Sequence, residues 1–143
     1  MSRPNDVGVG VAALIIRDKK ILLLKRKGSH SAGKWAVPGG WVDRKDTHPT
    51  ETLSREILEE TGLRVRSAHL YSVTSEDHLD LDCRTVTIYS QVFDTGGKPE
   101  ILESEKCSEM RWFGWKEICE IDYDSFFPQL YEILCYLYMD RSL

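Results

Sequence analysis

The sequence predicts an α+β protein in which a mixed sheet is layered against helices. Two observations carry this. The elements run strands, helix, strands, helix, not the strict strand–helix alternation of a doubly wound fold. The chain has 143 residues, 41% hydrophobic and 29% charged, with no internal repeat, low-complexity segment or linker. That is one hydrophobic core, and one domain over residues 1–143 is expected.

Val7 to Ile16 is apolar and reads as a buried strand. Arg17-Asp18-Lys19-Lys20 is a polar turn and Ile21 to Leu24 a second buried strand, so the two predict a hairpin. Lys25 to Lys34 is basic, carries Gly28 and Gly33, and reads as a loop. Trp35-Ala36-Val37 is a short strand stopped by Pro38-Gly39-Gly40. A helix is predicted from about Thr47, as N-cap, to Thr61, with Gly62 ending it. Leu63 to Val73 and Thr85 to Phe93 are strand candidates, and Asp94 to Pro99 is a turn. Met110 to Phe113 reads as a strand and Trp115 to Cys119 as a short helix. Phe126 to Met139 reads as a closing helix whose Leu130, Ile133, Leu134, Leu137 and Tyr138 form a core-facing stripe.

The net charge is −4 and the pI about 5.6. Nothing general in that balance attracts nucleic acid or an anionic membrane, so neither is expected as a partner. No apolar run approaches the ~20 residues of a membrane span. Met1 to Asp6 lacks a signal-like apolar stretch. Cys83, Cys107, Cys119 and Cys135 form no C-x-x-C pair, which predicts reduced thiols in a cytoplasmic protein.

The chemistry concentrates in Arg55-Glu56-Ile57-Leu58-Glu59-Glu60-Thr61-Gly62-Leu63. At about 100° per residue, Glu60 falls near +40° and Glu59 near −60° from Glu56, so three carboxylates share one arc. Leu53, Ile57, Thr61, Thr50 and Leu58 fill the adjacent arc and predict the face that docks on the sheet. Clustered carboxylates repel, and a helix C-terminus is the wrong end for negative charge. A hard divalent cation such as Mg²⁺, taking carboxylate and phosphate oxygens, reverses that penalty. Arg55, four residues before Glu59, is placed to orient it.

With Gly39-Gly40 upstream, this segment resembles the Nudix hydrolase family, whose box is G-x5-E-x7-R-E-U-x-E-E-x-G-U. Arg55 to Leu63 matches the second half completely. The first half departs twice: the sixth residue after Gly40 is Asp46, not Glu, and eight residues, not seven, separate it from Arg55. Lys25 to Trp35, and Glu105-Lys106-Cys107 with Trp112 and Trp115, further resemble MutT-like nucleoside triphosphate diphosphatases. The resemblance implies an α/β/α sandwich around a mixed sheet and Mg²⁺- or Mn²⁺-dependent cleavage of a nucleoside diphosphate linked to another group. It implies Glu56, Glu59 and Glu60 as the metal cluster, the Gly40 carbonyl as a further ligand, and Glu105 as a distant base or extra ligand.

Arg26 and Lys34 are the candidate phosphate contacts. Gly39 and Trp41 are further candidates for substrate binding, Trp41 as a stacking surface. Trp35, Tyr89 and Phe127 fit a base platform or the core equally well. His30, His48, His69 and His78 lack metal spacing and are expected to be structural or exposed. The leading reading is hydrolysis of an ordinary or oxidised (d)NTP to monophosphate and pyrophosphate. Alternatives are NADH, ADP-ribose or dihydroneopterin triphosphate as substrate, or a non-catalytic binding module. A homodimer is expected by resemblance.

Overall fold

A computed structural model describes residues 7–28, 30–79, 82–94 and 96–143. Met1 to Asp6, Ser29, Asp80, Leu81 and Thr95 lie outside the described residues. Strand β1 (Val7–Arg17) turns into β2 (Lys20–Arg26) through Asp18 and Lys19, both at positive φ (49° and 61°), as a two-residue hairpin turn requires. β3 (Trp35–Ala36) and β4 (Gly39–Trp41) follow, then α1 (Pro49–Thr61). β5 (Val65–His78) and β6 (Cys83–Asp94) form the longest pair. β7 (Cys107–Phe113), α2 (Trp115–Cys119), a 3-10 turn (Tyr123–Ser125) and α3 (Leu130–Met139) complete the chain.

One seven-stranded mixed sheet runs β3-β2-β1-β6-β5, with β4 also on β1 and β7 also on β2. The expected hairpin exists, but β1 and β2 pair only at Ile16–Ile21 and Arg17–Lys20. Most of β1 pairs in parallel with β6 and carries β4 antiparallel along Gly10 to Ala12. Alternate residues of β1 therefore serve two cores. Val11, Ala13 and Ile15 join Leu53 and Ile57 of α1 on one face. Ala12 and Leu14 join Ile118, Leu130, Ile133, Leu134 and Leu137 of α2 and α3 on the other. This is the α/β/α sandwich expected.

Several boundaries move. Pro38-Gly39-Gly40 does not end the sheet, because Gly39 and Gly40 pair with β1 as β4 and Val37 joins no strand. β5 and β6 extend past the apolar segments to His78 and Cys83, since backbone pairing continues through polar residues. β7 begins at Cys107, not Met110, and α3 at Leu130, not Phe126. The N-cap of α1 is His48, not Thr47. Its Nδ1 accepts from the Thr50 N–H at 3.1 Å, and Pro49 fills the first helical position. Thr47 instead donates its N–H and hydroxyl to Glu51. The docked face of α1 is Thr52, Leu53, Ile57 and Thr61, whereas Thr50 and Leu58 are exposed. Gly62 ends the helix at φ 78°, its N–H donating to the Leu58 carbonyl at 3.0 Å.

Candidate active site

The last two turns of α1 lie against β4, which fixes the carboxylates. The Gly39 N–H donates to Glu60 Oε2 at 3.1 Å. Glu56 packs on Gly40 so closely that a Cβ there would stand 2.6 Å from its Cδ. Glycine is needed at Gly40 for this approach. Glu59 is half-exposed, with Arg55 Nε 3.9 Å from its Oε1. The main partner of Arg55 is Asp46, which accepts from Nη1 at 2.7 Å and from Thr52 Oγ1 at 2.6 Å. Those bonds hold the Asp46 carboxyl below its ordinary range, the Arg55 bond most of all. The shorter Asp46 thus reaches Arg55 despite the extra residue between them.

A cavity of about 250 Å³ opens at these residues. Glu60, Glu103, Lys106, Gly39 and Gly40 line one part, and His30, His78, Phe127, Thr85, Thr87 and Tyr89 another. Arg26 links them: its guanidinium lies over the Phe127 ring at 5.1 Å and within the field of Glu60. Phe127 is placed by its own N–H, which donates to the Trp35 carbonyl at 2.8 Å. A break in the β2–β7 register at Lys25/Arg26 interrupts strand alternation, and Arg26 and Lys27 both face the cavity. Trp41 stands at the cavity with 56% exposure, its ring against Gly8.

The electrostatics are those of crowded carboxylates only partly offset by Lys106 and Arg55. Burial pushes Glu60 up to about 8, reinforced by Glu56 and Glu103 and opposed by the Gly39 bond and Lys106. Glu56 is raised too, by burial first and Glu59 second. Glu103 Oε2 meets Lys106 Nζ at 3.4 Å, while its Oε1 is buried without a hydrogen-bond partner. Clustered, partly buried carboxylates suit a divalent cation, and the unpartnered Glu103 oxygen beside them suits an acceptor for a proton. Among the described residues, no three or more His, Cys, Asp or Glu close on an ion by themselves. Mg²⁺ is commonly held by one or two carboxylates plus phosphates and water, which such an open set permits.

Of the expected site residues, Glu56, Glu60, Gly39, Gly40, Arg26 and Trp41 gather here, with Arg55 and Glu59 on the same helix. Glu105 is exposed on its loop and does not line the cavity; Glu103 does. Lys34 borders a neighbouring shallow recess instead. Trp35 is buried core, covered by Lys25 and Arg111, while Tyr89 and Phe127 reach the cavity. Of the four histidines, His30 and His78 line the cavity, His48 caps α1 and His69 packs on Phe93. The sequence signal for this wall is polar alternation, Thr74-x-Glu76-x-His78 facing Thr85-x-Thr87, and Glu76 and His78 are the buried residues of β5. Nothing in the spacing separated Glu103 from its acidic neighbours.

The sequence matches the family model of the NUDIX domain over residues 6–136. It is 33% identical over 116 residues to an ADP-ribose pyrophosphatase of Methanocaldococcus jannaschii, covering 81% of this chain and 67% of that protein. It is 28% identical over 120 residues to a protein of Mycobacterium tuberculosis named putative 8-oxo-dGTP diphosphatase 3, covering 78% of this chain. The chain spans only 55% of that relative's length. The crystal structure of a MutT NUDIX hydrolase from Burkholderia pseudomallei superposes with a TM-score of 0.72 at 33% identity, over 78% of this chain and 86% of that one.

Proposed function

Because the chain belongs to the NUDIX domain family, and is thereby a Nudix hydrolase, we propose that it cleaves a nucleoside triphosphate to nucleoside monophosphate and pyrophosphate. Nudix hydrolases act on nucleotides and use divalent metals. One observation carries the finer reading: a single cavity joins the carboxylates to an aromatic-walled recess through Arg26. That arrangement receives the phosphates of one nucleotide at Glu60 and its base at Phe127.

Glu56, Glu59 and Glu60, with the Gly40 carbonyl, are the groups that hold Mg²⁺ or Mn²⁺ in this reading. The bound ion supplies charge that neutralises phosphate oxygens and acidifies water. The chain's own residues do the rest. Arg26, Lys27 and Lys106 meet the phosphates. The Gly39 N–H holds Glu60 in place. Glu103 Oε1 takes the proton of the attacking water as its oxygen joins phosphorus and the bridging P–O bond breaks. Arg55, tied to Asp46, positions the last turns of α1. One domain over residues 1–143, and a homodimer, complete the proposal.

A second reading has its own support. The relative from M. jannaschii is named for ADP-ribose cleavage and shares 33% identity. The deciding experiment incubates the protein with Mg²⁺ and a panel of (d)NTPs, oxidised (d)NTPs, NADH and ADP-ribose, and identifies the phosphate products. Pyrophosphate from a triphosphate, lost in Glu60→Gln, is expected. Ribose 5-phosphate and AMP from ADP-ribose, with every triphosphate left intact, would replace the first reading by the second.

A further inference from the structure

The cavity wall formed by β5 and β6 carries a buried polar chain. Thr74, Glu76 and His78 alternate along β5 and share a face, and Thr85 stands directly opposite Glu76 on β6. Glu76, Thr85 and His78 are 5%, 5% and 7% exposed. A carboxylate at that depth is costly unless donors hold it. Here Thr74 Oγ1 donates to Oε1 at 2.8 Å and Thr85 Oγ1 to Oε2 at 3.1 Å.

A threonine hydroxyl has one proton to give. With that proton directed at Glu76, the 2.8 Å contact between Thr85 Oγ1 and His78 Nε2 runs the other way, with Nε2–H donating. The network thereby fixes the ring's tautomer. In the neutral imidazole Nδ1 is then an acceptor, and it is the ring's one remaining hydrogen-bonding atom. The ring lines the cavity, 5.0 Å from His30 edge-to-face and 6.4 Å from Phe127. Apolar residues would pack this face at lower cost. A satisfied network that ends at a cavity wall is what selective recognition of a polar ligand group requires.

We propose that His78, oriented by Thr85 and Glu76, reads the nucleobase by accepting an N–H hydrogen bond, so that the protein selects nucleotides whose base carries an N–H donor on the edge facing it. The inference rests on the function proposed above only in placing the base in this recess. His78 touches the substrate; Thr85 and Glu76 are positioning residues. A site built around a fixed acceptor discriminates against a ligand that cannot donate, because that acceptor is left unpaired.

The test measures binding, so it does not depend on turnover. Nucleoside monophosphates carrying adenine, guanine, cytosine, uracil and unsubstituted purine, which lacks any N–H donor on its edges, are titrated calorimetrically with Mg²⁺ present. At least one donor-bearing nucleotide is expected to bind about tenfold or more tightly than the unsubstituted purine. His78→Phe and Thr85→Val are expected to bring that ratio within about twofold of one. His78→Asn, whose Oδ1 stands where Nδ1 stood, is expected to restore part of it. Long-range ¹H–¹⁵N spectra of the imidazole are expected to show the proton on Nε2 in the parent and a mixture of tautomers in Thr85→Val, a readout that does not require His78→Phe to fold. An unchanged ratio in both variants, a parent ring protonated on Nδ1 alone, or no base-dependent binding overturns the proposal. Hydrolysis without base selectivity overturns it while leaving the hydrolase reading intact. Base-selective binding without hydrolysis does the reverse.

Discussion

Glu60 and Glu103 are separable at the level of single side chains. Glu60→Gln keeps the acceptor for the Gly39 N–H and removes the charge. We expect its kcat/KM to fall by roughly 10²-fold or more, with the fold retained by circular dichroism. Glu103→Gln is expected to lose about 10²–10⁴-fold, the usual contribution of a general base, while Glu105→Gln stays within about twofold. Equal losses in the two loop variants would contradict the assignment to Glu103. The residues that the box specifies were legible in the sequence, because helical periodicity places Glu56 and Glu60 on one arc and Gly62 has a single structural use. Glu103 was not. Which glutamate of an irregular loop turns inward depends on backbone bonds such as Lys106 N–H and Cys107 N–H to the Glu103 carbonyl, and those have no periodic signature. The His78–Thr85 contact is hidden for a related reason: Thr85 is reached across a hairpin, not along the chain.

At the scale of elements, β4 and α1 define the site jointly, and the two glycines between them make different predictions. A Cβ at Gly39 would collide with the Val11 carbonyl oxygen in the neighbouring strand. Gly39→Ala is therefore expected to destabilise the fold by about 2 kcal/mol or more, read as a lowered Tm. The three atoms nearest a Cβ at Gly40 all belong to the flexible Glu56 side chain. Gly40→Ala is expected to keep most of the stability and lose metal affinity about tenfold or more, which a Mn²⁺ titration measures. If Gly40→Ala bound metal normally, the approach of Glu56 to β4 would have no role. The hydrophobic runs revealed the strands but not their partners. β1 pairs in parallel with β6, each residue with one 77 positions on, and only its last two residues pair with β2. Local sequence favours the hairpin. The parallel pairing is settled by two cores closing on both faces of β1.

For the whole molecule, the acidic cluster links stability to pH and to metal. Glu60 has an ordinary carboxyl value of 4.5 and is pushed up to about 8 in the fold. Between those values the folded protein holds a proton that the unfolded chain has released. Stability of the metal-free protein therefore falls as pH rises from about 5 to 8. Saturating Mg²⁺ binds the ionised form and is expected to flatten the slope, so that the metal-induced rise in Tm grows with pH. A metal-free Tm that climbs over the same range would contradict this. Whether these carboxylates hold a divalent ion completed by nucleotide phosphates is measured by Mn²⁺ binding in electron paramagnetic resonance, with and without a nucleoside triphosphate. The structure predicts weak binding to the protein alone. It predicts binding at least about tenfold tighter with the triphosphate than to the triphosphate free in solution, and loss of that gain in Glu60→Gln. Equal Mn²⁺ affinity in the parent and Glu60→Gln, each with triphosphate present, would contradict it.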